Sequence, residues 1–165
     1  MVRHRQGALH RVPVAGEIGC VRRLKNAASF AFGVAMWTLV EYLVHRVGFH
    51  HPGSPRVVSS EHRMHHRDPL ATSLPKRLLG HGAVAAASSP AYLFTRTSGS
   101  LARWLGFVVG YAAYETTHWR IHHMPHTVSA QRRHHHLAHH AKSRTNFGVT
   151  TKVWDDVLGT NQRRA

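Results

Sequence analysis

Apolar residues in this chain are bunched rather than spread. Ala27–Val44 is an eighteen-residue stretch whose one charged group is Glu41. Leu78–Thr95 is a second stretch of eighteen, with His81 as its only histidine and no charged side chain. Leu101–Thr117 is a third, of seventeen, with Arg103 near its start and Glu115 near its end. Each approaches the ~17–25 residues that carry a helix across a hydrocarbon layer, the third only if Arg103 snorkels to the interface. A helix of a soluble bundle shows a polar face at 3.6-residue spacing, and Phe30–Val40 and Phe107–Tyr114 show almost none. The pattern predicts an all-α integral membrane protein with apolar helices near 27–44, 78–95 and 101–117, over a competing reading as three buried helices of a soluble bundle. The slightly negative mean hydropathy of −0.31 averages these stretches with very polar segments and so conceals them.

Arg96-Thr-Ser-Gly-Ser100 is a short turn, so the second and third helices form a hairpin that enters and leaves one face of the membrane. Residues 45–77 and 118–165 then share a compartment. They hold fourteen Lys and Arg against two around the hairpin turn, which places them in the cytoplasm by the positive-inside rule. The chain as a whole carries 22 basic and 7 acidic residues. A nucleic-acid surface fits that charge poorly, because the basic residues flank apolar helices and no nucleic-acid motif accompanies them. The domain reading is a basic polar segment, 1–26, followed by one membrane domain, 27–165. The first segment has six basic residues and one acid and lies outside if Ala27–Val44 spans once, against the rule just used. A first stretch that dips in and returns, or a preceding helix absent from this chain, would remove the conflict. Cys20 is the single cysteine, which excludes an internal disulfide, a cysteine zinc site and an iron–sulfur cluster. Eighteen Arg against four Lys point to a GC-rich bacterial genome, and so to the plasma membrane.

Eighteen histidines are the chemical signal, and most fall into four groups. His45 and His50-His51 close the first apolar stretch; His62, His65 and His66 follow; His118 and His122-His123 close the third stretch; His136, His139 and His140 come last. On a helix, positions i, i+3 and i+4 share a face, so His62, His65 and His66 are expected to converge, as are His136, His139 and His140. His45 and His50, five apart, suit a helix end that unwinds. Imidazole suits Fe, Zn, Cu and Ni. Ten imidazoles divide as five for each of two ions, leaving an open position on each for oxygen. Glu41 sits four residues before His45 and Glu115 three before His118, each within one turn, as outer acceptors for the N–H that a metal-bound histidine usually donates. The bland alternative for each is a snorkelling or Arg-paired carboxylate.

In the order HxxxxH, HxxHH, HxxxH(H), HxxHH the chain resembles the membrane fatty acid hydroxylase/sterol desaturase superfamily of non-haem di-iron enzymes. Trp37-Thr-Leu-Val-Glu41-Tyr42-Leu-Val-His45-Arg46 with Phe49-His50, and Phe147-Gly-Val-Thr150 with Trp154-Asp155 and Gly159-Thr160, narrow the resemblance to fatty acid 2-hydroxylases over about residues 34–160. It implies a monooxygenase that uses two iron ions, O2 and two electrons to hydroxylate a lipid C–H bond, most specifically position 2 of a fatty acyl chain. It implies His45, His50, His62, His65, His66, His118, His122, His136, His139 and His140 as metal ligands, with zinc able to replace iron in the isolated protein. The adjoining His51, His123, His134 and His135 are outer partners or exchange with a neighbour. Members generally carry four membrane helices, and some a fused haem domain; His51-Pro-Gly53 reads here as a turn, so electrons come from a separate donor protein. Arg63, Arg67, Lys76 or Arg144 would meet a lipid headgroup. The alternatives are oxidation of a sterol, carotenoid or alkyl chain at the same kind of centre, a His-rich membrane metal-binding or transport protein, and a degenerate scaffold.

Overall fold

The computed structural model describes residues 15–71 and 74–162, and the elements among them are helical. Most of the basic N-terminal segment, residues 1–14, lies outside the described residues, as does the side chain of Lys76. Helix α1 (Ala15–Leu43) runs without a proline into a π-helical turn at Val44–Phe49. Together Ile18–Phe49 is, by length and composition, the one helix among the described residues able to cross a membrane. Helix α2 (Arg56–Arg67) is short and polar. The 78–95 stretch is carried by two helices rather than one: α3 (Leu74–Ser88) and α4 (Pro90–Leu93). Pro90 brings no backbone N–H to continue the ladder, and Ser89 N turns instead to Ala86 O at 3.2 Å. Helix α5 (Ser98–His123) starts at a reciprocal cap in which Thr97 Oγ1 accepts from Ser100 N and Ser100 Oγ accepts from Thr97 N. The turn before it places Arg96 at φ 46. Helices α6 (Ala130–Ala141) and α7 (Val153–Val157) complete the chain.

The scaffold is the α1–α5 pair, which packs at backbone contact. A Cβ on Gly33 would sit 2.0 Å from the carbonyl oxygen of Arg103, and one on Gly106 would sit 2.0 Å from that of Phe30. Small residues at such a crossing let two helices approach closely where no apolar driving force separates helix from lipid. Above this crossing Trp37 lies edge-on to Phe107 and Tyr111, with ring centroids 5.2 and 4.9 Å away. Helix α3 returns along α5 through His81 Nδ1 to the Tyr111 hydroxyl (2.7 Å), and Trp104 Nε1 donates to Ser88 Oγ (3.1 Å).

Beside a buried apolar core that includes Trp37, Tyr42, Ile121 and Val149, the described residues expose large apolar side chains and bury ionisable ones. Phe32, Leu24, Leu79 and Phe94 are more than half exposed, whereas Glu41, His45, His62, His65, His136, His139 and Asp155 are buried. Burying ionisable groups while leaving large apolar ones outside is unfavourable in water and natural where the surroundings are hydrocarbon and the interior holds a polar site.

Candidate metal centre

Helices α2 and α6 and the facing ends of α1 and α5 bring ten imidazoles into two groups of five. One group is His45, His50, His62, His66 and His139; the other is His65, His118, His122, His136 and His140. Within each, one ring nitrogen per residue lies within 4.8 Å of all the others. The expected i, i+3, i+4 triplets do share a face, but each is divided between the groups. Helix α2 gives His62 and His66 to the first and His65 to the second; α6 gives His139 to the first and His136 and His140 to the second. His66 and His140 stack at the boundary, with centroids 4.3 Å apart.

His45 and His50 reach the same group because of the π turn. Five residues along an α-helix, at 3.6 per turn, rotate a side chain by about 140° away from its starting face. The wider i→i+5 turn, often found at functional sites, brings both rings to one side. The helix end therefore widens where the spacing suggested that it unwinds.

The donor set fits a metal ion. His62 Nε2 lies 3.0 Å from His45 Nε2, 2.8 Å from His50 Nε2 and 3.1 Å from His66 Nε2. A neutral ring nitrogen offers one proton or one lone pair, so it cannot serve three such partners by hydrogen bonding. Two rings show which nitrogen carries the proton. His45 Nδ1 donates to Phe147 O (2.5 Å) and His139 Nδ1 to Thr145 O (2.7 Å). A carbonyl only accepts, so in both rings the Nε2 lone pair faces the group, as a metal ligand requires. Burial, and then the neighbouring imidazoles, hold His62 far below the ordinary histidine range. Burial pushes His139 down to about 3 even though the Thr145 carbonyl works the other way. These rings are neutral donors at physiological pH. Five neutral nitrogens suit iron, zinc, copper or nickel.

Glu41 does not meet an imidazole among its recorded bonds. Its Oε1 accepts from Val149 N (2.6 Å) and Thr150 N (2.9 Å), and its Oε2 from the Thr150 hydroxyl. It thus grips the loop that carries the His45 acceptor, one step further from the rings than the sequence suggested. Glu41→Gln keeps the shape but removes the charge; the expected result is bound metal with turnover lowered ~10–100-fold, the range for lost outer contacts to metal ligands. Wild-type turnover in that variant would reduce Glu41 to a structural role. Glu115 is half-buried on the wall of the cavity described below.

The neighbouring histidines lie outside both groups. His51 accepts from Gly53 N (3.1 Å) in a turn, as read from the sequence. His123 stacks on Trp119 at 4.7 Å, His134 is exposed, and His135 Nε2 lies 3.0 Å from Asp155 Oδ2. Asp155 went unassigned in the sequence, although it stands within the quoted Trp154-Asp155 pair. It is fully buried and accepts from Phe147 N, Gly148 N and the Thr160 hydroxyl as well as His135. Burial works against its charge, yet these bonds, His135's foremost, hold its carboxyl below the usual carboxylate range. Trp154 Nε1 donates to Thr38 Oγ1 (3.0 Å), and Tyr42 OH lies 2.9 Å from Thr160 Oγ1, so the C-terminal segment is tied to α1.

A cavity of about 590 Å³ leads from the histidines between α1, α3 and α5. Its lining combines His45, His62, His65, His118 and His122 and the carboxylates Glu41, Glu61 and Glu115 with the apolar Trp37, Val40, Val44, Val84, Ala87, Phe107 and Tyr111. A largely apolar cavity with a few convergent polar groups is the ordinary form of a small-molecule site.

Comparison with known proteins finds similar chains. The chain is 31% identical over 150 residues to a dihydroceramide fatty acyl 2-hydroxylase of Arabidopsis thaliana, covering 79% of this chain and 59% of that protein. It is 31% identical over 148 residues to a ceramide very long chain fatty acid hydroxylase of Schizosaccharomyces pombe, covering 79% and 41%. Over 142 residues it is 31% identical to a fatty acid 2-hydroxylase of Rattus norvegicus, covering 76% and 37%. The chain therefore spans between 37% and 59% of the length of these relatives. Its fold is similar to that of full-length Scs7p, in whose solved structure only the hydroxylase domain is visible. The TM-score is 0.69 and the identity 27%, over 86% of this chain and 58% of that one. The fatty acid hydroxylase model matches residues 30–160, and the chain belongs to the fatty acid hydroxylase family.

Proposed function

We propose that this chain hydroxylates carbon 2 of a fatty acyl chain with O2, at two iron ions held by the ten clustered histidines. The observation that carries the proposal is that histidines of both five-nitrogen groups line one largely apolar cavity. Iron bound there supplies the reduction of O2 and the oxidation of the C–H bond. One oxygen atom would enter the C–H bond and the other would leave as water, with two electrons from a separate donor protein and two protons from solvent. The residues of the chain bind and orient. Val40, Val44, Val84, Ala87 and Phe107 enclose the hydrocarbon tail, exclude water and align it. The inward rings present neutral nitrogens, and the Phe147 and Thr145 carbonyls hold the Nδ1 protons of His45 and His139 on the far side.

The histidines sit where the apolar helices end, at the depth of a lipid's polar group. A carbon beside an acyl carbonyl is therefore closer to them than one deep in the tail. The relatives are named for fatty acyl and ceramide substrates, which favours an acyl lipid over a sterol or carotenoid. A metal transporter would place its ligands within the hydrocarbon span rather than at helix ends. We take the protein as integral to the membrane, with the metal centre on the cytoplasmic side of a bacterial plasma membrane. Arg63, Arg67 and Arg144 stand on that side to meet a headgroup. The test is lipid mass spectrometry of membranes containing the chain, supplied with reductant and an electron carrier. The expected product is the 2-hydroxy acyl lipid; a mid-chain double bond, a ring hydroxyl, or altered cellular iron or zinc with unchanged lipids would overturn the proposal.

A further inference from the structure

We propose that the stacked pair His66 and His140 is where electrons enter the site, and that the basic face around it docks an acidic one-electron carrier protein. The inference rests on the reading of the two histidine groups as a two-metal centre fed by a separate donor. The pair is singled out by its place on α2 and α6. One residue along an α-helix turns a side chain by about 100°. His65 and His139 meet the ends of α5 and α1: His65 Nε2 lies 2.8 Å from His118 Nε2, and the His139 ring centroid lies 4.3 Å from that of His45. The next residue in each helix, His66 in α2 and His140 in α6, is therefore turned toward the outer side. These two rings stack on each other, 4.3 Å apart and 17° from parallel, and are half-buried. Neither lines the cavity, whose histidines are His45, His62, His65, His118, His122 and His123.

His66 belongs to the first group and His140 to the second. A carrier seated over the pair is thus one imidazole from either metal position, and its electrons need not cross the space of the acyl chain. Electron transfer weakens steeply with distance, so this is the favoured route from the surface. Each reduced carrier gives up one electron and leaves oxidised. Two encounters supply the two electrons that take both ions from ferric to ferrous. The surroundings fit such a partner. Arg133 and Leu137 share the outer face of α6 with His140, at spacings of four and three along a helix, and both are exposed. Arg67 follows His66, and Lys142 and Arg144 follow His140, all exposed. The acid nearby, Asp68, accepts from Leu70 N (3.2 Å). Encounters between electron-transfer proteins are small and weak, and opposite charge steers them; an apolar spot among cations suits an acidic carrier.

The experiment uses the purified full chain loaded with ferric iron, in nanodiscs of phosphatidylcholine, under argon. The probe is reduced plant-type 2Fe–2S ferredoxin, a small acidic one-electron carrier, whose oxidation is followed by stopped-flow absorbance. Dithionite serves as a reductant that needs no docking surface. Transfer from ferredoxin to wild type is expected to slow steeply as salt rises, because exposed charges are screened. Arg133→Glu combined with Lys142→Glu should slow it about 10-fold or more at low salt, the lower range of what steering contributes, with iron content and reduction by dithionite unchanged. Arg67 and Arg144, offered above to a headgroup, stay intact in this variant. Arg22→Glu combined with Arg23→Glu, exposed near the start of α1, should match wild type. Transfer to wild type that ignores salt overturns the proposal, and that result needs no variant to fold. Wild type that dithionite reduces and ferredoxin does not, an unchanged rate in the first variant, or equal slowing in both also overturns it. Fewer than two iron ions in wild type would instead reject the two-metal reading beneath it.

Discussion

His139→Ala and His65→Ala are each expected to abolish hydroxylation while leaving the chain in the membrane. The two residues lie in different groups, so the pair asks whether both are needed. His139 is fully buried, its Nδ1 committed to Thr145 O and its Nε2 placed 3.1 Å from His66 Nε2. Alanine removes one of five donors and also a link between α6 and the C-terminal loop. His65 faces His118, with 2.8 Å between their Nε2 atoms, and joins α2 to α5. In each variant the apolar helices keep their composition, so membrane extraction should be unchanged while bound metal falls by one ion. Activity measured beside metal content decides the matter. Full activity in both variants would mean that the histidines are not the ligands.

Gly106→Val is expected to prevent assembly of the site from a distance. The added Cβ would stand 2.0 Å from the carbonyl oxygen of Phe30, and a backbone oxygen cannot swing aside as a side chain can. Overfilling an ordinary core costs about 1–3 kcal/mol; here two helices must move apart along their crossing. Helix α1 leads to His45 and His50 and α5 to His118 and His122, so separation at Gly106 pulls the two groups apart. The expected result is a large fall in thermal stability in detergent and loss of metal. Gly99→Ala is the control, because its Cβ would meet Ser29 Oγ at an ordinary 3.6 Å. Unfolding of Gly106→Val at the wild-type temperature would show that the crossing tolerates separation.

Helix-forming stretches and clustered histidines are legible in one dimension, because apolar length and the i, i+3, i+4 spacing are properties of a single helix. Ala27–Leu43 falls within α1, with Val44 opening the π turn, Leu101–Thr117 falls within α5, and the turn at 96–100 meets the capped start of α5. The same reasoning gathered the histidines into four groups, and the family resemblance picked out the ten that converge. It did not give their partition. Spacing fixes the direction of His65 relative to His62 around α2, but not which neighbouring helix each meets. Pro90 was visible, yet the apolar count outweighed it, and one helix was read where two form. The role of Asp155 was hidden for another reason. It bonds to backbone N–H groups, and the atoms that meet His45 and His139 are backbone carbonyls. Every residue has these, so no side-chain pattern marks them. Glu41 was found from its position one turn before His45, but its partners are 108 and 109 residues away.

The most direct measurement is the fate of oxygen in the lipid product. Membranes containing the chain, an electron carrier and a saturated acyl lipid are incubated under ¹⁸O₂ in ordinary water, and the extracted lipid is fragmented to locate the label. The expected result is one ¹⁸O atom, on carbon 2, absent from membranes carrying His139→Ala. Unlabelled hydroxyl oxygen, or label at any other carbon, would contradict hydroxylation of carbon 2 by O2 at this centre.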